Sequence, residues 1–174
     1  PMITVNTENY NLISQDFYNK TIDSLDLNLI SCVCGHSGCL IRHGSYKRSI
    51  QLADRILSLS VVRVYCKICG HTHALLLSSM VPYSQISLAL HVRLIHAYEH
   101  ETGFRNILAE QYLVDENNLK SIIRNYRLHW KQWLLSMRLH LPDIPSLISG
   151  CFSLFSRQFM QIKSTSNKLF ILPT

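Results

Sequence analysis

Cys32-Val33-Cys34-Gly35-His36-Ser37-Gly38-Cys39 and, after a strand-rich stretch, Cys66-Lys67-Ile68-Cys69-Gly70 are the segments whose reading decides the fold. A tetrahedral metal site needs soft ligands that converge from two turns, and short cysteine spacings separated by a β-hairpin supply them. Glycine after Cys69 permits the tight bend that sets both sulfurs of Cys66-x-x-Cys69 on one ion. On the N-terminal side either Cys32 with Cys34, or Cys34 with Cys39, forms the first pair. The candidate metal ligands are therefore Cys32, Cys34, Cys39, Cys66 and Cys69. His36, His43, His71 and His73 lie close enough in sequence to replace one thiolate or to stand beside the ligands as partners. The expected ion is Zn2+ in a structural role, because four thiolates close the coordination sphere while a catalytic zinc keeps an open position. No βαβ pattern surrounds Cys66-x-x-Cys69, which argues against a redox role.

Outward from the cysteines, Leu40-Ile41-Arg42, the run from Ile56 to Tyr65 and Thr72-His73-Ala74-Leu75 are β-branched or leucine-rich, bounded by Gly35, Gly38, Gly44 and Gly70. They predict a small antiparallel sheet, a zinc ribbon over residues 32–80. Such a module has little core of its own, so bound metal is expected to supply much of its stability. Residues 1–31 alternate weakly, carry no chemical motif and read as an N-terminal lead-in.

After Pro82 the period becomes helical. Leu88, Val92 and Ile95, widened by Leu90, Leu94 and Tyr98, predict a largely buried helix over residues 86–100. Phe104 to Tyr112 follows as a short second helix, Leu113-Val114 as a turn, and Asp115 as the N-cap of a third helix that runs to about Leu139. Leu147, Ile148, Cys151, Phe152, Phe155 and Phe159 suggest one more amphipathic helix within a C-terminal segment, 141–174, that ends in an irregular tail. The fold class is thus α+β, a small antiparallel β zinc ribbon followed by a helical helix-turn-helix domain over residues 84–140. His96 and His100 flank Glu99 on a helix but do not form His-Glu-x-x-His, and they read as an exposed face.

The helix-turn-helix pattern has a steric logic. A small residue at Ala109 lets two helices cross, Val114 plugs the turn, and Leu119, Ile122 and Ile123 return the next helix to the same core. Leu119, Ile122, Ile123, Tyr126, Trp130, Trp133 and Met137 form one apolar stripe, which assigns these aromatics to packing rather than base stacking. Lys120, Arg124, Arg127, Lys131 and Arg138 form a parallel cationic stripe suited to phosphates along a groove edge. Asn117, Asn118, Ser121 and Arg124 stand near the helix start as candidate base readers, since Asn and Arg pair bidentately with adenine and guanine edges. Arg42, Lys47, Arg48 and Arg63 on the ribbon are candidates for gripping backbone, or are ordinary solvated charges. Double-stranded DNA is the expected partner.

Charge agrees with that direction. Lys and Arg number 17 against 11 Asp and Glu, a net charge of +6 that favours a polyanionic partner. Four thiolates around Zn2+ would reduce it to about +4. Residues 74–92 lack Asp, Glu, Lys and Arg, but Pro82, Tyr83, Gln85 and several serines break the span, and no membrane helix is expected. No export signal opens the sequence, so its six cysteines read as thiols or ligands of a cytoplasmic protein. The 11 acidic residues form no triad that would bind two catalytic metals, so no enzyme activity is expected.

Cys34-Gly35-His36-Ser37-Gly38-Cys39-Leu40-Ile41-Arg42-His43-Gly44-Ser45-Tyr46-Lys47-Arg48, Arg63-Val64-Tyr65-Cys66-Lys67-Ile68-Cys69-Gly70-His71-Thr72-His73-Ala74, Val81-Pro82-Tyr83-Ser84 and Arg157-Gln158-Phe159-Met160-Gln161-Ile162 resemble an uncharacterised bacterial family. That family is similar to the N-terminal zinc-ribbon and helix-turn-helix region of insertion-sequence transposases. The resemblance covers most of residues 32–174 and implies zinc held by the paired cysteines and DNA held by the helices. It departs at the first pair, where one residue separates the cysteines in place of the usual two, and this leaves Cys32, Cys34 and Cys39 in competition. The expected function is a zinc-stabilised DNA-binding protein, transposase-derived or mobile-element-associated, without its own catalytic domain. The alternatives are a protein- or RNA-interaction module using ribbon and basic helix, or a fragment of a transposase or nuclease.

Overall fold

The computed structural model describes residues 2–7, 12–100, 103–111, 113–136, 138, 140, 141, 143, 145–147 and 149, and the backbone of 163–165 and 168–171. A four-stranded sheet with one helix against it forms one half, and a set of helices forms the other. The molecule is mixed α and β, as expected.

The sheet is organised by a long hairpin of β2, Leu40–Gln51, and β3, Ile56–Cys66, in register from Leu40 opposite Cys66 to Gln51 opposite Ile56. Pairing shifts between Arg42 and Ser45, where Gly44 adopts φ 110°, a conformation open to glycine and costly for other residues. Next in chain order, β4, Thr72–Leu77, lies antiparallel to β3 on one side and parallel to β1, Met2–Val5, on the other. A central strand covered on both faces reads as a continuous apolar run, and His73 to Leu77 are all buried.

Of the segment 1–31, which shows no motif, the described residues 2–7 and 12–31 build much of this half. β1 supplies the parallel edge, so the sheet is not purely antiparallel. Helix α1, Gln15–Asp23, starts where the Ser14 side chain accepts from Phe17 N at 3.1 Å, and buries Tyr18 and Ile22, one turn apart. The register Arg63 to Ala74 would next pair Val62 with Leu75, but there the strands part and Tyr18 stands between them. Its hydroxyl accepts from Val62 N at 2.8 Å and donates to Leu75 O at 2.9 Å, replacing the missing ladder bond. Burial pushes this phenol up to about 12. Gln15 does similar work nearby, accepting from Ser60 N at 2.7 Å. The sheet half therefore has a core of Ile13, Tyr18, Ile22, Leu59, Leu75 and their neighbours, which is more burial than a bare ribbon would have.

The second half packs α2, Leu88–Glu99, against α3, Phe104–Glu110, and α4, Glu116–Asn125. Asp115 caps α4 as expected, its carboxylate accepting from Asn118 N at 2.8 Å. A single π-helical turn, Tyr126–Trp130, joins α4 to α5, Lys131–Ser136, within the span expected as one helix. Leu119, Ile122, Ile123, Tyr126 and Trp130 are buried as the apolar stripe predicts, and Val114 is buried in the turn. The Trp133 side chain and Met137, the last two members of that stripe, lie outside the described residues. Ala109 does not make the expected close crossing; it is exposed. In a helix as short as α3 the buried residue is Ile107, followed four residues on by the buried C-cap Gln111, and position 109 points elsewhere.

The halves meet where β2 ends. Gln51 N donates to Gln85 O at 2.6 Å, Ser87 N donates to Gln51 O at 3.0 Å, and Leu88 N reaches Ser79 O at 2.9 Å. Of the expected C-terminal helix, Leu147 is buried, while Ile148, Cys151, Phe152, Phe155 and Phe159 lie outside the described residues. Where an irregular tail is expected, β5, Lys163–Thr165, pairs antiparallel with β6, Lys168–Ile171. Among the described residues no helix is long and apolar enough to cross a membrane.

Candidate metal centre

Strand register brings the cysteines together. Because Leu40 pairs with Cys66, zipping the β2–β3 hairpin sets the loop before β2 beside the turn after β3. Lys67 N then donates to Cys39 O at 2.9 Å and ties the two turns. Within the first turn Gly35 N donates to Cys32 O at 2.9 Å and Cys32 N to His36 O at 2.8 Å, with Gly35 at φ 90°. In the second, Gly70 N donates to Cys66 O at 3.0 Å with Gly70 at φ 73°.

The sulfurs of Cys32, Cys34, Cys66 and Cys69 lie within 4.8 Å of one another, and this group could hold a metal ion. Cys32 and Cys69 Sγ are 3.6 Å apart and Cys34 and Cys66 Sγ 3.9 Å. Zinc–thiolate bonds of about 2.3 Å in a tetrahedron require sulfur–sulfur edges of about 3.8 Å, and the two distances bracket that value. They are far longer than the roughly 2.05 Å of a disulfide, and the five described cysteines are all free thiols. The donor set thus fits a tetrahedral, thiophilic ion.

The surroundings favour thiolate unevenly. The Cys69 amide, 3.5 Å from Cys66 Sγ, together with the backbone of Ile68, lowers the Cys66 thiol to about 6 against the pull of burial. The His36 backbone, and then its ring 3.6 Å away, lower Cys34, which is exposed. Burial raises Cys32 and Cys39. A metal would have to displace the Cys32 proton, and His73 is placed to help: its Nε2 is 3.2 Å from Cys32 Sγ, and the ring is fully buried on β4. Burial lowers the His73 pKa, which favours a neutral ring beside the sulfur.

Cys39 falls outside the four-sulfur group. Its thiol donates to His36 O at 3.2 Å and lies 3.4 Å from Cys66 Sγ, but it is not one of the four sulfurs that all lie within 4.8 Å of one another. Of the remaining histidines, His43 packs against the Tyr65 ring at 5.5 Å and His71 is exposed.

The candidate DNA contacts divide. Lys120, Arg124 and Arg127 are exposed and line one groove of about 600 Å3 with Tyr98, Phe104 and Leu128. Asn117 is exposed on α4 too. Asn118 and Ser121 instead face a separate cleft against the 81–86 turn, and the Asn118 amide also bonds the Asp115 carboxylate. Lys120 pairs with Glu116 at 2.6 Å and Lys131 with Glu99 at 2.9 Å, whereas Arg124 and Arg127 have no carboxylate partner among the described residues. On the sheet, Lys47 is exposed, but Arg42 pairs with Asp23 at 2.7 Å. Arg48 donates to Val81 O at 2.9 Å and Ser84 O at 2.6 Å, so its guanidinium pins a turn. Tyr18, His91 and Gln51 escape sequence reasoning, because a lone buried polar side chain leaves no periodic trace. Comparison with protein-family models, with curated proteins and with solved structures finds no match.

Proposed function

We propose that Cys32, Cys34, Cys66 and Cys69 hold a structural Zn2+ and that the chain binds duplex DNA as a zinc-stabilised module without its own catalysis. Four thiolate ligands suit zinc, fill its sphere and leave no position for a substrate. Cys39 stays a thiol beside the centre, and zinc stiffens the end of the sheet. The observation that carries the DNA reading is the groove in which Lys120, Arg124 and Arg127 converge, two of them without a carboxylate partner among the described residues. Phosphates fit such a cationic track, with Asn117, exposed on the same helix α4, as a base reader. The net charge of +6 supports the same partner. The resemblance to transposase N-terminal regions favours a cytoplasmic regulator or accessory factor of a mobile element.

Elemental analysis of the purified protein and duplex affinity measured against salt test the two halves. One zinc per chain and a log–log salt slope of about −2 to −3, for two or three neutralised phosphates, are expected. Metal-free protein with native fold rejects the first half, and a flat salt dependence rejects the second. A protein partner is the second reading, favoured by Leu128, which is 55% exposed on the same groove. Preference for a protein over duplex would select it.

A further inference from the structure

Between the 81–86 turn, the end of β2 and the helix formed by α4 and the π turn lies a cavity of about 480 Å3, with a wall that includes Gln51, Gln85, His91, Asn118, Asn125 and Trp130. Its size falls within the range of roughly 300–1,000 Å3 of small-molecule sites. No Lys, Arg, Asp or Glu lines it, so an ion is not its natural occupant. Gln51 Nε2 donates to Leu113 O and the Asn118 amide to the Asp115 carboxylate, while Gln85 and Asn125 each bring an amide donor and acceptor side by side, the pattern that an uncharged heterocycle presents along its edge.

The two histidines of the wall add ring nitrogens. His91 is buried, and its Nδ1 donates to Ser87 O at 3.0 Å, which leaves Nε2 of the neutral ring as an acceptor. His129 Nδ1 is buried with no partner among the described residues, a polar atom for a ligand to satisfy.

Tyr83 makes the cavity more than a gap. The residue also lines the cavity, yet it is 84% exposed and holds φ 61°, a left-handed conformation unfavourable for a large side chain. Arg48 fixes it there by binding Val81 O and Ser84 O on either side. A strained, pinned, exposed aromatic residue at the edge of a polar cavity has the form of a stacking platform.

We propose that this cavity binds a nucleobase, stacked on Tyr83 and read along its edge by the amides and imidazoles of the wall. The base is carried by a free nucleoside or by an unpaired nucleotide in a strand; both present the same chemistry. The site is separate from the cationic groove and goes beyond the duplex reading.

Isothermal titration of the full chain with adenosine, guanosine, cytidine and thymidine, with ribose as control, and with a short single-stranded oligonucleotide against its abasic counterpart, tests this. Saturable binding of a nucleoside but not ribose supports a free ligand. Binding of the intact oligonucleotide alone, lost in the abasic one, supports a base in a strand. Tyr83→Gly is expected to melt no lower than wild type, since glycine tolerates φ 61°, yet to bind at least tenfold more weakly. Tyr83→Phe is expected to keep its affinity, and Asn125→Ala to lose about fivefold. R124A/R127A, which strips the other groove, is expected to leave binding of the phosphate-free nucleosides unchanged. The inference is overturned if neither source binds, if ribose binds as well, if Tyr83→Gly binds like wild type, or if R124A/R127A abolishes nucleoside binding.

Discussion

Cys32 Sγ and His73 Nε2 meet at 3.2 Å, joining the first cysteine turn to the central strand β4. A neutral imidazole that donates Nε2–H to a sulfur stabilises the thiolate that metal binding requires and fixes its direction. Burial first, and then the neighbouring Cys34, Cys66 and Cys69 side chains, hold Cys32 in its thiol form, so this bond bears most directly on the ligand that is hardest to ionise. His73→Phe keeps the ring volume and removes the donor. Zinc affinity is expected to fall about 10–100-fold, read by competition with a chromophoric chelator. An unchanged affinity would remove His73 from the site.

Cys66→Ser and Cys69→Ser are expected to lose the zinc, whereas Cys39→Ser is expected to keep one ion per chain. Because α1 and β1 give the sheet a core that is independent of the metal, the loss should loosen residues 32–39 and 66–71 first. Hydrogen exchange checks it: Leu75 to Leu77 should stay protected in Cys69→Ser while the amides of Gly35 and Gly70 open. Metal lost from Cys39→Ser and kept in Cys69→Ser would reassign the ligands.

Much of this architecture is legible in the residue pattern alone, because periodicity is local. The apolar stripe from Leu119 to Trp130, the Asp115 cap and the paired cysteine turns repeat at spacings that a single element dictates. What stays hidden is long-range. Tyr18 reads as one aromatic in a weakly patterned segment, and only the divergence of β3 from β4, some 44 residues on, gives its hydroxyl a purpose. The choice of Cys32 over Cys39 depends on how the first turn folds, where the Cys39 thiol bonds His36 O and neighbours Cys66 Sγ without joining the four-sulfur group. Arg48 looks like a solvated strand charge by sequence, and its carbonyl partners are contributed by a turn 33 and 36 residues away.

Tyr18→Phe keeps the packing and deletes the hydroxyl that serves both Val62 N and Leu75 O. Two backbone groups would be left without that partner in a buried setting, at a cost of about 2 kcal/mol. Denaturant unfolding should show a lower midpoint with an unchanged slope. A shift under about 0.5 kcal/mol would mean the strands close and pair directly.

Arg124→Ala with Arg127→Ala removes the two groove cations that have no carboxylate partner among the described residues. Duplex affinity at low salt is expected to fall about tenfold or more and the salt slope to shrink by about two, with melting unchanged. Lys47→Ala, on the opposite half, serves as the exposed-charge control. Equal losses from both variants would point to diffuse charge attraction in place of a groove.

His91 ties stability to pH. Burial lowers its pKa to about 4 from the ordinary 6.5. A histidine that protonates more readily when unfolded makes the unfolded state the better proton binder between those values, so stability is full above about pH 6.5 and is lost as pH falls toward 4. The full shift corresponds to about 3 kcal/mol, and below pH 4 this group adds no further slope. Unfolding free energies of wild type and His91→Gln, measured from pH 7 to 4, should diverge at the top of that range and converge at the bottom, as the variant lacks the titration. Parallel curves would show that the ring reaches water.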